Sequence, residues 1–220
     1  MLSMPAMRKL LEHHDAVQRA YLERYYRMNT TAQNVYRRFP PATAAELAAA
    51  KQRWGRPYPR SYQNFLKINN GWRRFALGWS LVGAPNPQNK DMYKDVQNTL
   101  RQLPVVANDQ DQAKLAQKQN KDPKLILPTD HTVFGTDFNG GLLMFDTNRV
   151  SAAKEPQVAS VDSLIHVVQR WDSFEAFVKD AAARVAERLE NILASDRQKT
   201  TTERRPKKGA SKPPVRAKRR

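Results

Sequence analysis

The chain has 220 residues, 40% of them hydrophobic, with 8 Phe, 7 Tyr, 4 Trp, 0 Cys and a formal net charge of +17. The aromatic content excludes a wholly disordered chain, and the length suits one domain with a tail. No stretch reaches the roughly 18 apolar residues of a membrane helix, no apolar run follows the first charges as in a secretory signal, and no disulfide or thiolate site is available, so a cytoplasmic protein is expected.

Residues 6–28 read as an amphipathic helix, because Leu10, Val17, Tyr21, Tyr25 and Met28 recur at helical steps between charged residues. Pro40 and Pro41 stop it. Thr43 followed by Glu46 is a capping box that opens a second helix, with Leu47, Ala50 and Trp54 on one stripe and Gly55 as its stop. After the extended Pro57–Pro59 connection, a third helix carries Tyr62, Phe65, Leu66 and Asn69 on one face and closes at Asn70-Gly71. Short apolar runs then predict strands: 79–82, 105–106, 125–127, 133–134, 142–145 and 158–161. Met92, Val96 and Leu100 predict a helix among them, and 109–121 is a polar, Gln-rich insertion. Asn139-Gly140-Gly141 signals a hairpin turn. Near the end, Asp172 at a cap with Glu175 three residues on starts a long helix. Its stripe of Phe174, Phe177, Ala181, Val185, Leu189 and Ile192 runs to about Ala194. Helices, then short strands, then a helix define an α+β layout.

Charge divides the chain in the same order. Residues 1–74 hold 14 basic and 4 acidic residues, 75–196 hold 13 and 16, and 197–220 hold 11 and 1, so net charges of +10, −3 and +10 sum to +17. The expected organisation is an N-terminal helix and connection over 1–42, an α+β domain over 43–196, and a disordered basic tail over 197–220. Within the tail, Arg204, Arg205, Lys207, Lys208, Arg216, Lys218, Arg219 and Arg220 form two basic clusters. They predict weak, sequence-blind, salt-sensitive binding of nucleic acid, without the interleaved aromatics that stack single strands.

Three patches resemble the SUKH superfamily, the Smi and Knr type of domain, in that family's order. The first contains Gly55, Pro59, Tyr62, Phe65, Leu66, Asn70 and Gly71, with Tyr58 where the family usually has Leu. The second, Phe134 to Asp146, holds the glycine hairpin with Gly140 and Gly141; the third is Ser173-Phe174 followed by Phe177. The resemblance implies N-terminal helices and a C-terminal helix packed on a mainly antiparallel curved sheet. It also implies a non-enzymatic binding role, as in bacterial immunity proteins that silence a cognate protein toxin, often a nuclease or nucleic-acid deaminase. Inhibitors of nucleases are commonly acidic. Here either the acidic middle forms the contact face or the partner is not a basic nuclease.

The residues themselves point the same way on chemistry. His13, His14, His131 and His166 lack metal-ligand spacing, Asp130 and His131 have no nucleophile elbow beside them, and no phosphate-binding loop occurs, so no catalytic residue, metal or cofactor is expected. Tyr62, Phe65 and Leu66 read as core, and the glycines as caps and turns. Trp72, beside Arg73 and Arg74, fits either an exposed interface anchor or the edge of the core. Asp137 fits turn chemistry better than a metal or acid–base role with Asp146. Trp72, Asp137, Asn139 and Asp146 flank the matched patches and are the expected partner contacts. A basic nucleic-acid-associated scaffold using the tail is the alternative function.

Overall fold

A computed structural model of the chain describes residues 2–26, 36–55, 57–103, 133–137, 139–152 and 154–203, with a few positions between 114 and 126. The helices are α1 (Met4–Tyr26), α2 (Ala44–Trp54), α3 (Arg60–Leu66), α4 (Lys90–Gln102) and α5 (Phe174–Glu203). The strands are β1 (Arg37–Arg38), β2 (Gly71–Ala76), β3 (Trp79–Val82), β4 (Val133–Thr136), β5 (Leu142–Val150), β6 (Pro156–Val161) and β7 (Val167–Trp171). The seven strands among the described residues pair antiparallel with their chain neighbours in one open meander. Register shifts in β2, β4, β5 and β6 put bulges into the sheet, which bend and twist it.

The sheet is apolar on both faces, and alternation along β5 shows why. Leu143 and Phe145 join a core shared with α1, α3 and α5, while Leu142 and Met144 join a second core under α4. At the centre of the first core, Tyr62 is fully buried. Its ring centroid lies 4.8 Å from Phe174, 5.2 Å from Phe134, 5.3 Å from Phe145 and 5.6 Å from Phe65. Its hydroxyl donates to the Val82 carbonyl, so the one polar atom of the cluster is satisfied. The three family patches thus meet at one point.

Local signals explain most element ends. Thr43 and Glu46 form the complete capping box of α2, and Gly55 closes it in the left-handed region at φ 72°. α3 begins after Pro59 without a side-chain cap of its own. The buried carboxylate of Glu155, from the β5–β6 connection, accepts from the Ser61 amide at 2.8 Å and hydroxyl at 2.5 Å and caps it instead. Between β2 and β3, Leu77 (φ 47°) and Gly78 (φ 99°) both sit in the left-handed region, as a tight two-residue hairpin demands.

Several expectations are corrected. α1 buries Met7, Leu11, His14, Gln18, Tyr21 and Leu22, whereas Tyr25 is 58% exposed, so the buried stripe is rotated from the expected one because it runs through two polar residues. α3 ends at Leu66, before Asn69. β1, β2 and β7 are strands that the sequence did not predict, and Leu125 makes only an isolated bridge to His166. Ser173, not Asp172, caps α5: its hydroxyl accepts from the Ala176 amide at 3.2 Å, while Asp172 accepts from Gln157. α5 continues past Asp196 to Glu203, into the segment expected to be a disordered tail. Met28, Val105, Val106, Leu127, most of 109–121 and all of 204–220 lie outside the described residues.

Phe65 is fully buried against the Tyr62 and Phe174 rings. Phe65→Ala is expected to cost about 3–5 kcal/mol in denaturant unfolding; a loss below about 1 kcal/mol would contradict this placement.

Candidate partner-binding surface

The four expected contact residues do not form one patch. Trp72 is fully buried, and of its two placements the structure takes the core. His14, Tyr36 and Phe75 surround its ring at centroid distances of 5.6, 6.0 and 5.2 Å, and the Arg38 guanidinium lies over it at 4.9 Å. Trp72 is therefore corrected from anchor to core, because α1 and the segment around Tyr36 cover it. Asp146 is likewise buried at 4% exposure, held by the Arg170 and Arg149 guanidiniums and by the Asn148 amide at 3.1 Å. A carboxylate so enclosed is a cross-strand tie and not a contact.

Asp137 and Asn139 stay accessible. Oδ1 of Asp137 accepts from the Asn139 and Gly141 amides, each at 2.8 Å, which shapes the hairpin. Asp137 also lines a recess of about 310 Å³ with Arg73, Ser80, Asp95 and Thr136. Asp95 faces Arg73 there at 4.0 Å.

This recess is one flank of α4. The helix sorts its residues by face: Met92, Val96 and Leu100 are buried, Asp91 and Asp95 lie to one side, and Lys90, Lys94 and Arg101 to the other. The apolar stripe was legible in the sequence; the sorted charges were not noticed there. Their helical spacing, Lys90 with Lys94 and Asp91 with Asp95, was the available signal.

The loop that leads into α4 is held by asparagines. Asn89 donates to the Asn70 carbonyl at 3.2 Å and the Ala84 carbonyl at 2.8 Å, and accepts from the Asn86 amide at 3.1 Å. Asn70 accepts from the Ala84 amide in turn. Thus the Asn70-Gly71 motif, which read as a helix stop, also sets the position of α4.

Among the described residues no group of three or more His, Cys, Asp or Glu side chains is placed to hold a metal. Asp130, His131 and the eight expected polyanion-binding residues from Arg204 to Arg220 lie outside the described residues. No described helix is long and apolar enough to cross a membrane.

Helices on both faces of a seven-stranded antiparallel meander, closed by a Ser-Phe helix, make this a SUKH-type α+β domain. The chain belongs to the SMI1/KNR4 family (SUKH-1), whose model matches residues 41–180. No curated protein matches the chain. α1 falls outside the matched range, yet it covers Trp72 and Phe75 in the core.

His14 shows how tightly α1 is seated. Its Nε2 is 2.7 Å from the Phe75 carbonyl and its ring packs against both Trp72 and Phe75. Burial pushes its pKa from 6.5 down to about 4, against the opposing pull of the Phe75 carbonyl and Asp15. Since the unfolded chain takes up this proton first, the contribution is complete above pH 6.5 and is lost as the pH falls toward 4. The full loss is about 3 kcal/mol. His14→Gln, which keeps a donor near Phe75, should remove this part of the acid sensitivity. Denaturant unfolding at pH 7.5 and 4.5 should bring wild type and variant closer by about 2–3 kcal/mol at the lower pH, and a constant gap would contradict it.

Proposed function

We propose that the chain is a non-enzymatic protein-binding domain of the immunity type, which neutralises a cognate protein toxin by covering part of its surface. Membership of the SUKH-1 family over 41–180 carries this reading. The α4 side of the sheet suits the role, because the helix presents sorted charges beside a recess where Asp137 supplies an accessible carboxylate. Asp137 and Asn139 remain proposed contacts; Trp72 and Asp146 do not. No cofactor or metal enters the reading, and a cytoplasmic location is part of it. A basic nucleic-acid-associated scaffold is the second reading, favoured by the 11 basic residues against one acidic in 197–220.

The test is co-expression with the product of an adjoining toxin gene, read as growth rescue and as an isolable complex. The double variant Asp137→Asn, Asn139→Ala keeps the turn and should weaken the complex by about 2 kcal/mol, or roughly 30-fold. Absence of both rescue and complex would overturn the toxin reading. Duplex DNA binding that persists when the tail is neutralised, together with no protein complex, would favour the scaffold.

A further inference from the structure

The other flank of α4 faces a cleft that no part of the family match explains. It measures about 580 Å³ and lies between the helix and the loop 85–87. Pro85, Pro87 and the Tyr93 ring give it apolar surface, while Lys90, Lys94 and Arg101 rim it. Among the described residues no carboxylate lines it, although α4 carries two, because Asp91 and Asp95 both lie in depressions on the Arg73 side. All three cations are exposed, and among the described residues none of them is in an ion pair. The cleft is not loosely built. Tyr93 donates its hydroxyl to the Gly83 carbonyl at 2.7 Å, and the Asn70, Asn86 and Asn89 side chains hold the loop.

We propose that this cleft is a docking site for an acidic polypeptide segment of the protein partner, one whose apolar side chain rests on the prolines and Tyr93 while flanking carboxylates meet Lys90, Lys94 and Arg101. Charge complementarity selects the occupant: a slot with cations only on its rim repels basic segments and attracts acidic ones. A small anion would meet only part of the rim, since Lys90 and Arg101 are 11 residues apart on the helix, about 16 Å. The same span equals about five residues of extended peptide. Nucleic acid fits less well. Single strands stack successive bases on several aromatic faces, and among the described lining residues this cleft offers one ring.

The proposal rests on the protein-binding reading, but its test does not require the toxin. The probe is an array of hexapeptides with four positions drawn from Asp and Glu and two from apolar residues, beside a matching Lys and Arg array. The full-length chain is used with the basic residues of 204–220 replaced by glutamine, so that the tail does not bind the peptides. Acidic peptides should bind and basic ones should not. Lys90→Glu, Lys94→Glu and Arg101→Glu together should weaken binding at least tenfold, the corresponding three glutamine substitutions less so, and Arg8→Glu with Lys9→Glu on α1 not at all. Unchanged melting temperatures would show that these surface variants fold.

No binding by the acidic array, equal binding by the triple-Glu variant, or a duplex DNA oligomer that binds through the same three residues would each overturn the proposal. Array failure removes the cleft alone. Absence of toxin rescue with an intact array result removes the toxin reading alone.

Discussion

The close approach of Asn70 to Gly83 is the contact on which the two halves of the domain depend. A side chain at Gly83 would overlap the backbone and amide oxygen of Asn70, and a Cβ at Gly71, where φ is 99°, would stand 2.9 Å from the Gly83 nitrogen. Because both positions are glycine, the backbones touch, and fully buried Asn70 can bond on several sides at once. Its amide donates to the Pro40 carbonyl at 2.9 Å, its side chain reaches Glu46 of the α2 capping box, and its carbonyl receives Asn89 at the start of α4. The helical front, the sheet and α4 therefore share one polar node. Buried polar groups satisfied in this way fix an arrangement as well as stabilise it.

α1 is attached by a different device. The bulge in β2 places Arg74 at φ 54° and leaves the backbone there without regular ladder partners. Gln18 donates to the Arg74 carbonyl at 3.1 Å, His14 meets the Phe75 carbonyl, and the Ser80 hydroxyl accepts from the Arg74 amide at 3.0 Å. Polar side chains on the buried stripe of α1 thus replace hydrogen bonds that the irregular strand cannot make for itself. At the far end of the helix, Arg24 pairs with Asp196 at 2.6 Å, and at the near end the Leu2 amide donates to Glu175 at 2.6 Å. α1 is clamped to α5 along its length.

Elements governed by neighbours in sequence were legible: the Thr43 box, the Met92–Val96–Leu100 stripe, the Asn139-Gly140-Gly141 hairpin and the Phe174–Phe177 helix start. Elements governed by distant partners were not. β2 hides behind Arg73 and Arg74, because one guanidinium faces Asp95 and the other residue sits in a bulge, so no period-two alternation survives. β7 hides likewise behind Gln169 and Arg170, which reach Asp180 and Asp146. The stripe of α1 was displaced because His14 and Gln18 are polar by type and buried by partnership. Trp72 and Asp146 looked like surface contacts because what encloses them comes from other parts of the chain. The cleft was missed for a related reason: Pro85 and Pro87 join Tyr93 only once the asparagine-braced loop folds over α4.

The length of α5 sets where the basic terminus starts. Its apolar contacts with the core run to Ile192, and Asp196 still pairs with Arg24 of α1. From there the helix runs on to Glu203, a rise of about 10 Å. That distance exceeds the Debye length of about 8 Å at physiological ionic strength. α5 therefore sets the Asp196 carboxylate more than one Debye length from the point where 204–220 begins, so at physiological salt the field of that carboxylate is largely screened there.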